Sequence, residues 1–275
     1  MKYLVLGSAG QVGAALTGFL KKAGHEVLEF DSARYSEEDL RITNNPILIE
    51  RMEQSDFVFF LAFDVGGSRY LKRYQHTFEF VSNNIKLMQN TFELLKQMDK
   101  PFIFASSQMS NMSHSPYGQL KALGEIYTKQ LNGLVVKFWN VYGVEHDLEK
   151  SHVITDFLLK AKQKKIIDMM TDGSEQRQFL FADDCSECLV ELSKNYNNLP
   201  RTEELHLTNF KWYTIRDVAE IIVTLYPGTQ IQPALTVDEV QKDKRNEPNP
   251  FILNYWQPKT ELHEGIQLVN DLMMV

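Results

Sequence analysis

The sequence predicts an α/β fold, a doubly wound parallel sheet joined to a small, discontinuous C-terminal subdomain. The first observation is an apolar run at residues 2–6 that leads through a glycine-rich turn into a helical pattern. The second is that further apolar runs alternate with amphipathic stretches, the order typical of βαβ units and a parallel sheet. The third is a tyrosine and a lysine four residues apart, Tyr117 and Lys121, at the start of one amphipathic stretch.

The composition is that of an ordinary globular protein. Of 275 residues, 43% are hydrophobic and 24% are charged, and the net charge is −7. We expect such an acidic chain to bind neither nucleic acid nor a membrane surface. No apolar run approaches the length of about 18 residues that indicates a membrane-spanning helix. The first predicted strand begins at residue 2, which leaves no room for a signal peptide, so we expect a cytoplasmic protein.

The first predicted unit contains a Gly-x-x-Gly-x-x-Gly turn between a strand and a helix. Gly7 permits a tight turn, Gly10 lets the backbone approach a pyrophosphate, and Gly13 lets the helix pack on the strand. Gln11 and Val12 open that helix, and a pyrophosphate would lie at its N-terminus. The pattern indicates a dinucleotide site.

The second strand of this unit, at residues 27–30, ends at Asp31. A carboxylate at this place can accept hydrogen bonds from both ribose hydroxyls of the cofactor. It would also repel a 2′-phosphate, so the sequence favours NAD over NADP. The alternative for Asp31 is an ordinary turn former at a strand end.

The tyrosine–lysine pair begins a helix that is predicted to start after Pro116. Apolar residues at three- and four-residue steps place Tyr117 and Lys121 on one face. A free tyrosine has a pKa of about 10 and is a poor base at neutral pH. Because a nearby ammonium favours the phenolate, we expect Lys121 to lower the pKa of Tyr117 toward the working range. The alternative is an amphipathic helix with a solvated lysine.

Together, the glycine loop and the tyrosine–lysine pair resemble the extended short-chain dehydrogenase/reductase family, of the NAD-dependent nucleotide-sugar epimerase and dehydratase type. The likeness covers nearly the whole chain. The family also carries a serine or threonine after a later strand, which holds the hydroxyl being oxidised. Alignment on the strand at residues 101–105 favours Ser107 for this role, with Ser106 as the alternative.

The resemblance implies further cofactor contacts. Asp39 and Leu40 match a pair that lies beside the adenine in such enzymes. Leu61 and Ala62 match the end of a buried strand that lies against the cofactor. The family usually has alanine at the next position, where this chain has Phe63. We expect Phe63 to reshape the floor of the pocket.

The resemblance also implies the ligands of a nucleotide-diphosphate sugar. Asn140 follows the buried strand at residues 134–138 and is a candidate substrate ligand. Arg177 matches an arginine that grips the diphosphate, a role suited to the rigid guanidinium fork, and its alternative is a surface ion pair. Arg245 is a second diphosphate candidate.

Two residues after the serine pair bear on the reaction. Sugar 4,6-dehydratases of this family usually follow the serine or threonine with aspartate and glutamate, an acid and a base for removing water. This chain has Gln108 and Met109 instead. An amide and a thioether cannot supply that pair, so the sequence disfavours dehydration.

The remaining elements follow in chain order. Helices are predicted after Asn45 and Thr77, on either side of a buried strand at residues 56–62. The second of these helices carries Asn84, which the resemblance implies orders the active site, with Asn83 as the alternative register. Further predictions are a helix at 152–164, a strand at 204–207 and a helix at 215–226.

The two cysteines, Cys185 and Cys188, have a spacing that suits redox chemistry or metal binding. They lie in a helical pattern together with Leu189 and Leu192, which favours a buried helix face instead. There is no second cysteine pair to complete a zinc site, so no metal is predicted. Free thiols fit a reducing compartment.

These patterns divide the chain into two parts. Residues 1–142 are predicted to form the NAD-binding Rossmann domain, to which residues 179–210 return. Residues 143–178 and 211–275 are predicted to form the subdomain that binds the nucleotide sugar. The resemblance implies a homodimer.

The predicted function is NAD-dependent oxidoreduction of a nucleotide-activated sugar, in the form of C4 epimerisation through a transient ketone. The alternatives within the family are a 4-oxidase or reductase and a dehydratase. An alternative of another class is a non-catalytic dinucleotide-sensing module, which often lacks the Tyr-x-x-x-Lys pair. The presence of Tyr117 and Lys121 favours an enzyme.

Overall fold

The computed structural model describes residues 1–236, 238 and 246–273. The strands are β1 Lys2–Leu6, β2 Glu26–Phe30, β3 Phe57–Phe60, β4 Phe102–Ser107, β5 Leu134–Phe138, β6 Asn140–Tyr142, β7 Ile166–Asp168, β8 Gln176–Arg177, β9 Phe179–Phe181, β10 Leu205–Leu207, β11 Tyr213–Thr214 and β12 Gln230–Gln232. The helices are α1 Gln11–Lys22, α2 Pro46–Gln54, α3 Ser68–Tyr74, α4 Phe78–Met98, α5 Pro116–Gln130, α6 Val153–Lys164, α7 Ala182–Lys194, α8 Ile215–Leu225 and α9 Leu262–Leu272. Short 3-10 helices include Gln108–Asn111 and Pro250–Asn254.

The central sheet has six parallel strands in the order β10-β5-β4-β3-β1-β2. The chain runs from β1 outward to β2, and then returns to the other side of β1 for β3, β4 and β5. Helices cover both faces. This arrangement confirms the predicted α/β fold with a doubly wound parallel sheet. Ligands of such sheets bind at the carboxyl edge where the strand order reverses, which is here between β1 and β3.

The register of the strands brings the predicted cofactor residues to that edge. Leu6 lies opposite both Phe30 of β2 and Phe60 of β3, so the three strands end at the same level. The residues that follow them, and so meet at one edge, are Gly7, Asp31 and Leu61.

The starts of several helices follow from local capping. The Asn45 side chain accepts hydrogen bonds from the first turn of α2, and the Thr77 hydroxyl accepts one from the Phe80 amide in α4. Thr214 and Asp217 form a reciprocal capping box at α8. These side chains satisfy amides that have no partner within the helix, which confirms the helix starts predicted at these residues.

Two large cores lie on opposite faces of the sheet. One contains side chains of α1 and α7, including both cysteines, which are fully buried and free. The other contains side chains of α2, α4 and α5 around a cluster of phenylalanines from β3, β4 and α4. The prediction that Cys185 and Cys188 lie on a buried helix face is confirmed, and burial raises the pKa of both thiols.

A third core joins α6, α8 and α9 with the short strands β7 and β9. One part of the tail lies elsewhere: Ile252 and Trp256 pack in the first core, beside β10. That stretch therefore contacts the large sheet, because its apolar side chains cover the edge strand. No helix of the described residues is long and apolar enough to span a bilayer.

Candidate active site

The loop between β1 and α1 has no room for a side chain at Gly7 or at Gly13. A Cβ atom on Gly13 would lie 2.0 Å from the Gly7 carbonyl oxygen. One on Gly7, whose φ is +88°, would lie 2.7 Å from the Ala62 backbone nitrogen. The first turn of α1 lines a large cavity and has no side-chain cap at Gly10, so its amides can bind a phosphate there.

Asp31 is held at the end of β2 by hydrogen bonds. Its carboxylate accepts from the Ala9 amide at 2.8 Å and from the Ala33 amide at 2.9 Å. The Asp31 amide donates to buried Glu38 at 3.0 Å, and Glu38 pairs with Arg51 at 2.6 Å. Sequence reasoning missed Glu38, because its contact with Asp31 depends on how the loop after β2 folds back.

Asp39 and Leu40 line the same cavity beyond Asp31. A hydrogen bond from the Arg41 side chain holds the pKa of the Asp39 carboxyl below its usual value. Leu40 is buried, and its carbonyl accepts a hydrogen bond from Asn90 at 2.8 Å. This part of the cavity therefore offers one apolar and one ionised side chain.

Ser107 and Tyr117 meet at the other end of the cavity. Ser115 caps α5 by accepting a hydrogen bond from the Gly118 amide at 3.2 Å, which fixes where the helix begins. Tyr117, in the first turn, hydrogen-bonds the side chain of Ser107 at the end of β4. The serine that was favoured from alignment is therefore the one that contacts the tyrosine.

Ser106 belongs to a different network. Its hydroxyl donates to Glu125 at 2.5 Å, and Glu125 lies 3.8 Å from Lys137, which pairs with Glu204 at 2.6 Å. Neighbouring side chains of a strand point to opposite faces, so only one of the two serines can face Tyr117.

Lys121 lies one turn after Tyr117 and is almost completely buried. Its ammonium donates to the Ala105 carbonyl at 2.6 Å and lies 3.7 Å from the centroid of the Phe63 ring. The Phe63 ring also packs edge-on against the Tyr117 ring, with centroids 5.8 Å apart. As expected, Phe63 forms part of the pocket floor.

The structure corrects one expectation about this pair. Burial raises the pKa of Tyr117 to about 12, and the hydrogen bond with Ser107 opposes that rise only in part. Burial also lowers the pKa of Lys121 to about 7, against the attraction of Glu125. The sequence predicted a lowered tyrosine pKa because spacing alone does not reveal how dry the site is.

One cavity of about 670 Å³ connects the glycine loop with Tyr117 and Lys121. The predicted cofactor and catalytic residues that it brings together are Gly7, Gly10, Gln11, Val12, Gly13, Asp31, Asp39, Leu40, Leu61, Ala62, Ser107, Tyr117 and Lys121. The cavity is lined at one end by the glycine loop and at the other by Tyr117. The tight glycine turn and the oriented Asp31 carboxylate both fit NAD.

Asn84 orders the floor of this cavity. It is fully buried, its oxygen accepts from the Asp64 amide at 2.8 Å, and its nitrogen donates to the Asp64 carbonyl at 3.1 Å. The Asn83 side chain, in contrast, donates to the Asp64 carboxylate at 3.3 Å. Asn84 thus fixes the backbone that follows Phe63.

A smaller cavity of about 140 Å³ adjoins the first, and Asn140 lines both. The Asn140 side chain donates to the Gln178 carbonyl at 3.1 Å. Arg177 lines the smaller cavity, where it pairs with Asp238 and donates to the Gln176 carbonyl at 2.7 Å. Arg245 lies outside the described residues.

His152 and Glu145 were not predicted as site residues. Both line the large cavity, and the His152 ring nitrogen Nδ1 lies 2.6 Å from the buried Glu145 carboxylate. Burial acts to raise the pKa of Glu145, but its contacts with His152 outweigh this and the pKa is lowered. A histidine at a helix start gives no signal in the sequence that a carboxylate seven residues earlier would fold back onto it.

Comparisons with known proteins agree with this geometry. Residues 3–207 match the family model described as NAD dependent epimerase/dehydratase family. The chain is 23% identical over 309 residues to UDP-glucuronic acid decarboxylase 1 of Danio rerio, covering 96% of this chain and 71% of that protein.

Solved structures show the same fold. UDP-glucose 4-epimerase of Thermotoga maritima with UDP-glucose superposes with a TM-score of 0.77 at 18% identity, covering 100% of this chain and 99% of that one. TunA, an NAD dependent NDP-hexosamine 5,6-dehydratase of tunicamycin biosynthesis, gives 0.82 at 17% identity, covering 100% and 98%. With more than half of its length matched by the family model, the chain belongs to the NAD dependent epimerase/dehydratase family of enzymes.

Proposed function

We propose that this enzyme oxidises a nucleotide-activated sugar at C4 and returns the hydride to the opposite face, so that the product is the C4 epimer. The observation that carries the proposal is the meeting of Ser107, Tyr117 and Lys121 in one cavity whose far end is a glycine loop and Asp31. The C4 position rests on the resemblance to epimerases of this family.

In this proposal each of the three catalytic side chains has a separate role. Tyr117 takes the proton of the sugar hydroxyl, and Ser107 holds the oxygen by a hydrogen bond. Lys121 bonds the nicotinamide ribose and stabilises the tyrosinate. NAD, when bound, supplies the hydride acceptor. Burial raises the pKa of Tyr117 to about 12 in spite of the Ser107 hydrogen bond, so the base function depends on positive charge placed beside the tyrosine. The Lys121 ammonium, 5.9 Å from the centroid of the Tyr117 ring, supplies that charge.

The residues after Ser107 favour this reaction over loss of water. Gln108 and Met109 are buried in the short 3-10 helix that follows β4, and the Gln108 carbonyl and amide oxygens both accept from Asn246 at 2.6 Å. Neither residue carries a group that can protonate a leaving hydroxyl. The second candidate function is decarboxylation of a nucleotide-activated uronic acid, which would begin with the same oxidation at C4. The similarity to UDP-glucuronic acid decarboxylase 1 supports this candidate.

A panel of nucleotide sugars tests the proposal. We expect NAD together with the true substrate to raise the melting temperature above NAD alone, because a ligand that binds only the native state stabilises it by about 2.7 kcal/mol at a hundredfold excess over its Kd. The panel includes UDP-glucose and UDP-glucuronic acid, the sugars named for the relatives. A panel in which no nucleotide sugar adds to the NAD effect would contradict the proposed substrate class.

The substrate diphosphate is proposed to bind at Arg177 and Asn140. We expect Arg177→Ala to weaken nucleotide-sugar binding by about 2–5 kcal/mol, the range for losing one partner of a buried charge pair. The affinity for NAD should hardly change. Titration calorimetry measures both, and Arg216→Ala, at an exposed arginine outside both cavities, is the matched control. Loss of NAD affinity with sugar binding intact would place Arg177 outside the sugar site.

Cofactor preference follows from Asp31. We expect NAD to bind more tightly than NADP, and Asp31→Asn to weaken NAD about tenfold, because a hydrogen bond to a charged group contributes about 1.5–3 kcal/mol. The same variant should also reduce the ratio between the affinity for NAD and the affinity for NADP. Asp56→Asn, at an exposed aspartate at the opposite end of the sheet, is the control. Equal or tighter NADP binding by the unaltered protein would overturn the assignment.

We also propose that the chain forms a homodimer through α4 and α5. The exposed faces of these two packed helices carry large apolar side chains, namely Ile85, Leu123, Ile126 and Tyr127. Burying this patch against a second copy would remove it from water. Ile126→Glu should convert the dimer to a monomer in light scattering, while Leu268→Glu, at an exposed side chain of α9, should not. A monomeric unaltered protein would contradict this.

The cellular setting is proposed on the same grounds. Two buried free thiols suit a reducing cytoplasm, and nucleotide-sugar conversion suits carbohydrate biosynthesis.

A further inference from the structure

The Phe63 ring packs against both Lys121 and Tyr117, the two side chains that are proposed to do the chemistry. It follows Ala62 at the carboxyl end of β3, and its half-buried ring lines the large cavity. The Lys121 ammonium is 3.7 Å from the ring centroid, whereas the ring of Phe104 is 5.1 Å away and that of Tyr117 is 5.9 Å away. Phe63 is thus the ring on which the ammonium rests.

Besides the ring, the Ala105 carbonyl and the Glu125 carboxylate compensate the Lys121 ammonium for leaving water. The residue is 3% exposed, and its hydrogen bond at 2.6 Å is to the neutral Ala105 carbonyl. A buried charge needs partners that replace its hydration. The face of an aromatic ring is such a partner, because its quadrupole places negative charge there.

We propose that Phe63 is a positioning residue of this active site, whose ring face holds the Lys121 ammonium next to Tyr117. The proposal builds on the proposed function, in which that ammonium supports the tyrosinate. It accounts for the phenylalanine that replaces the small residue expected at this place. An apolar wall of the same volume would fill the space but would not stabilise the charge.

The groups around Lys121 define what a change at Phe63 should do. Helix α5 contributes Tyr117 and Glu125. Strand β4 contributes the Ala105 carbonyl and the Ser106 hydroxyl, which donates to Glu125. Strand β5 contributes Lys137, which lies 3.8 Å from Glu125. The end of β3 contributes the Phe63 ring, 3.7 Å from the ammonium. Because the ring favours the charged form, its loss should lower the pKa of Lys121 further.

Nuclear magnetic resonance of the full chain with 15N-labelled lysine tests this without a sugar substrate. The Lys121 Nζ signal is assigned by its absence in Lys121→Met, and its titration is followed in the ligand-free protein. We expect a midpoint of about 7 in the unaltered protein. In Phe63→Leu, which keeps an apolar side chain, we expect the midpoint to fall by about one pH unit, a tenfold change in the charge equilibrium.

Two matched variants separate the ring from mere packing. Phe63→Tyr keeps the aromatic face and should keep the midpoint. Phe251→Leu removes a half-buried ring that packs on Tyr255 and does not line the cavity, and it should also keep the Lys121 midpoint. An unchanged Lys121 midpoint in Phe63→Leu would overturn the proposal, and so would an equal fall in Phe63→Tyr.

A second measurement keeps the test independent of any variant that fails to fold. In the unaltered protein, the ε-methylene protons of Lys121 should be shifted upfield by the ring current of Phe63. A methylene at its ordinary chemical shift would contradict the proposed contact. Neither the Lys121 midpoint nor the methylene shift depends on turnover. A Tyr117→Phe variant that keeps its activity would therefore reject the proposed function without deciding whether Phe63 holds the ammonium.

Discussion

Turnover on the true nucleotide sugar should fall by about 10²–10⁴-fold in Tyr117→Phe, the range expected for losing a positioned general base. The change removes the phenolic oxygen that hydrogen-bonds Ser107 and leaves the ring that packs against Phe63. We therefore expect the fold and NAD affinity to remain nearly intact. Steady-state kinetics measures the first effect, and fluorescence titration with NADH measures the second.

Tyr255→Phe is the matched control for this experiment. Tyr255 is half-buried beside Phe251 and does not line the large cavity, so the same loss of a hydroxyl there should leave turnover unchanged. If Tyr117→Phe turns over its substrate as fast as the unaltered enzyme, Tyr117 is not the base. If turnover and NAD affinity are lost together, the variant reports on binding rather than on proton transfer.

The second large effect is expected in the glycine loop. Gly13→Ala would place a methyl group 2.0 Å from the Gly7 carbonyl oxygen and 2.9 Å from the Ser8 Cα atom. Both contacts are to backbone, which cannot rotate away, so the loop must open. We expect a loss of about 3 kcal/mol in the free energy of unfolding and the disappearance of measurable NAD binding.

Gly18→Ala is the control, five residues later in the same helix. A Cβ atom on Gly18 meets nothing within 4 Å, so alanine should stabilise α1 by about 0.5–1 kcal/mol through its helix propensity. Chemical denaturation gives both free energies, and calorimetry gives NAD binding. A Gly13→Ala protein as stable as Gly18→Ala, with NAD bound normally, would show that α1 does not need the close approach to β1.

Much of the fold was predictable because its signals are local. The apolar runs that become β1, β3 and β4 are buried on both faces, and the side chains that cap α2, α4 and α8 precede their helices directly. The short pairings β6 with β9, β7 with β12 and β8 with β11 were not predicted. Strands of two or three residues have too little periodicity, and they form because distant segments meet.

The residues of the candidate site were likewise predictable where their signals are local and not where distant segments meet. The glycine loop, Asp31, Ser107, Tyr117 and Lys121 were found from their order along the chain. The Glu38 contact to Asp31 and the pairing of His152 with Glu145 depend on how loops fold back. The pKa directions at Tyr117 and Lys121 depend on burial, which spacing does not encode.

The measurement that tests the central claim most directly is product analysis in deuterated water. The protein, NAD and a panel of nucleotide sugars are incubated together, and the products are identified by nuclear magnetic resonance. The account predicts an inverted C4 centre whose carbon-bound hydrogen is retained, because the hydride never exchanges with solvent. A 4-keto-6-deoxy sugar with deuterium at C6 would contradict it by showing dehydration in spite of Gln108 and Met109. Release of carbon dioxide from UDP-glucuronic acid, or NAD binding without any product, would contradict the proposed epimerisation as well.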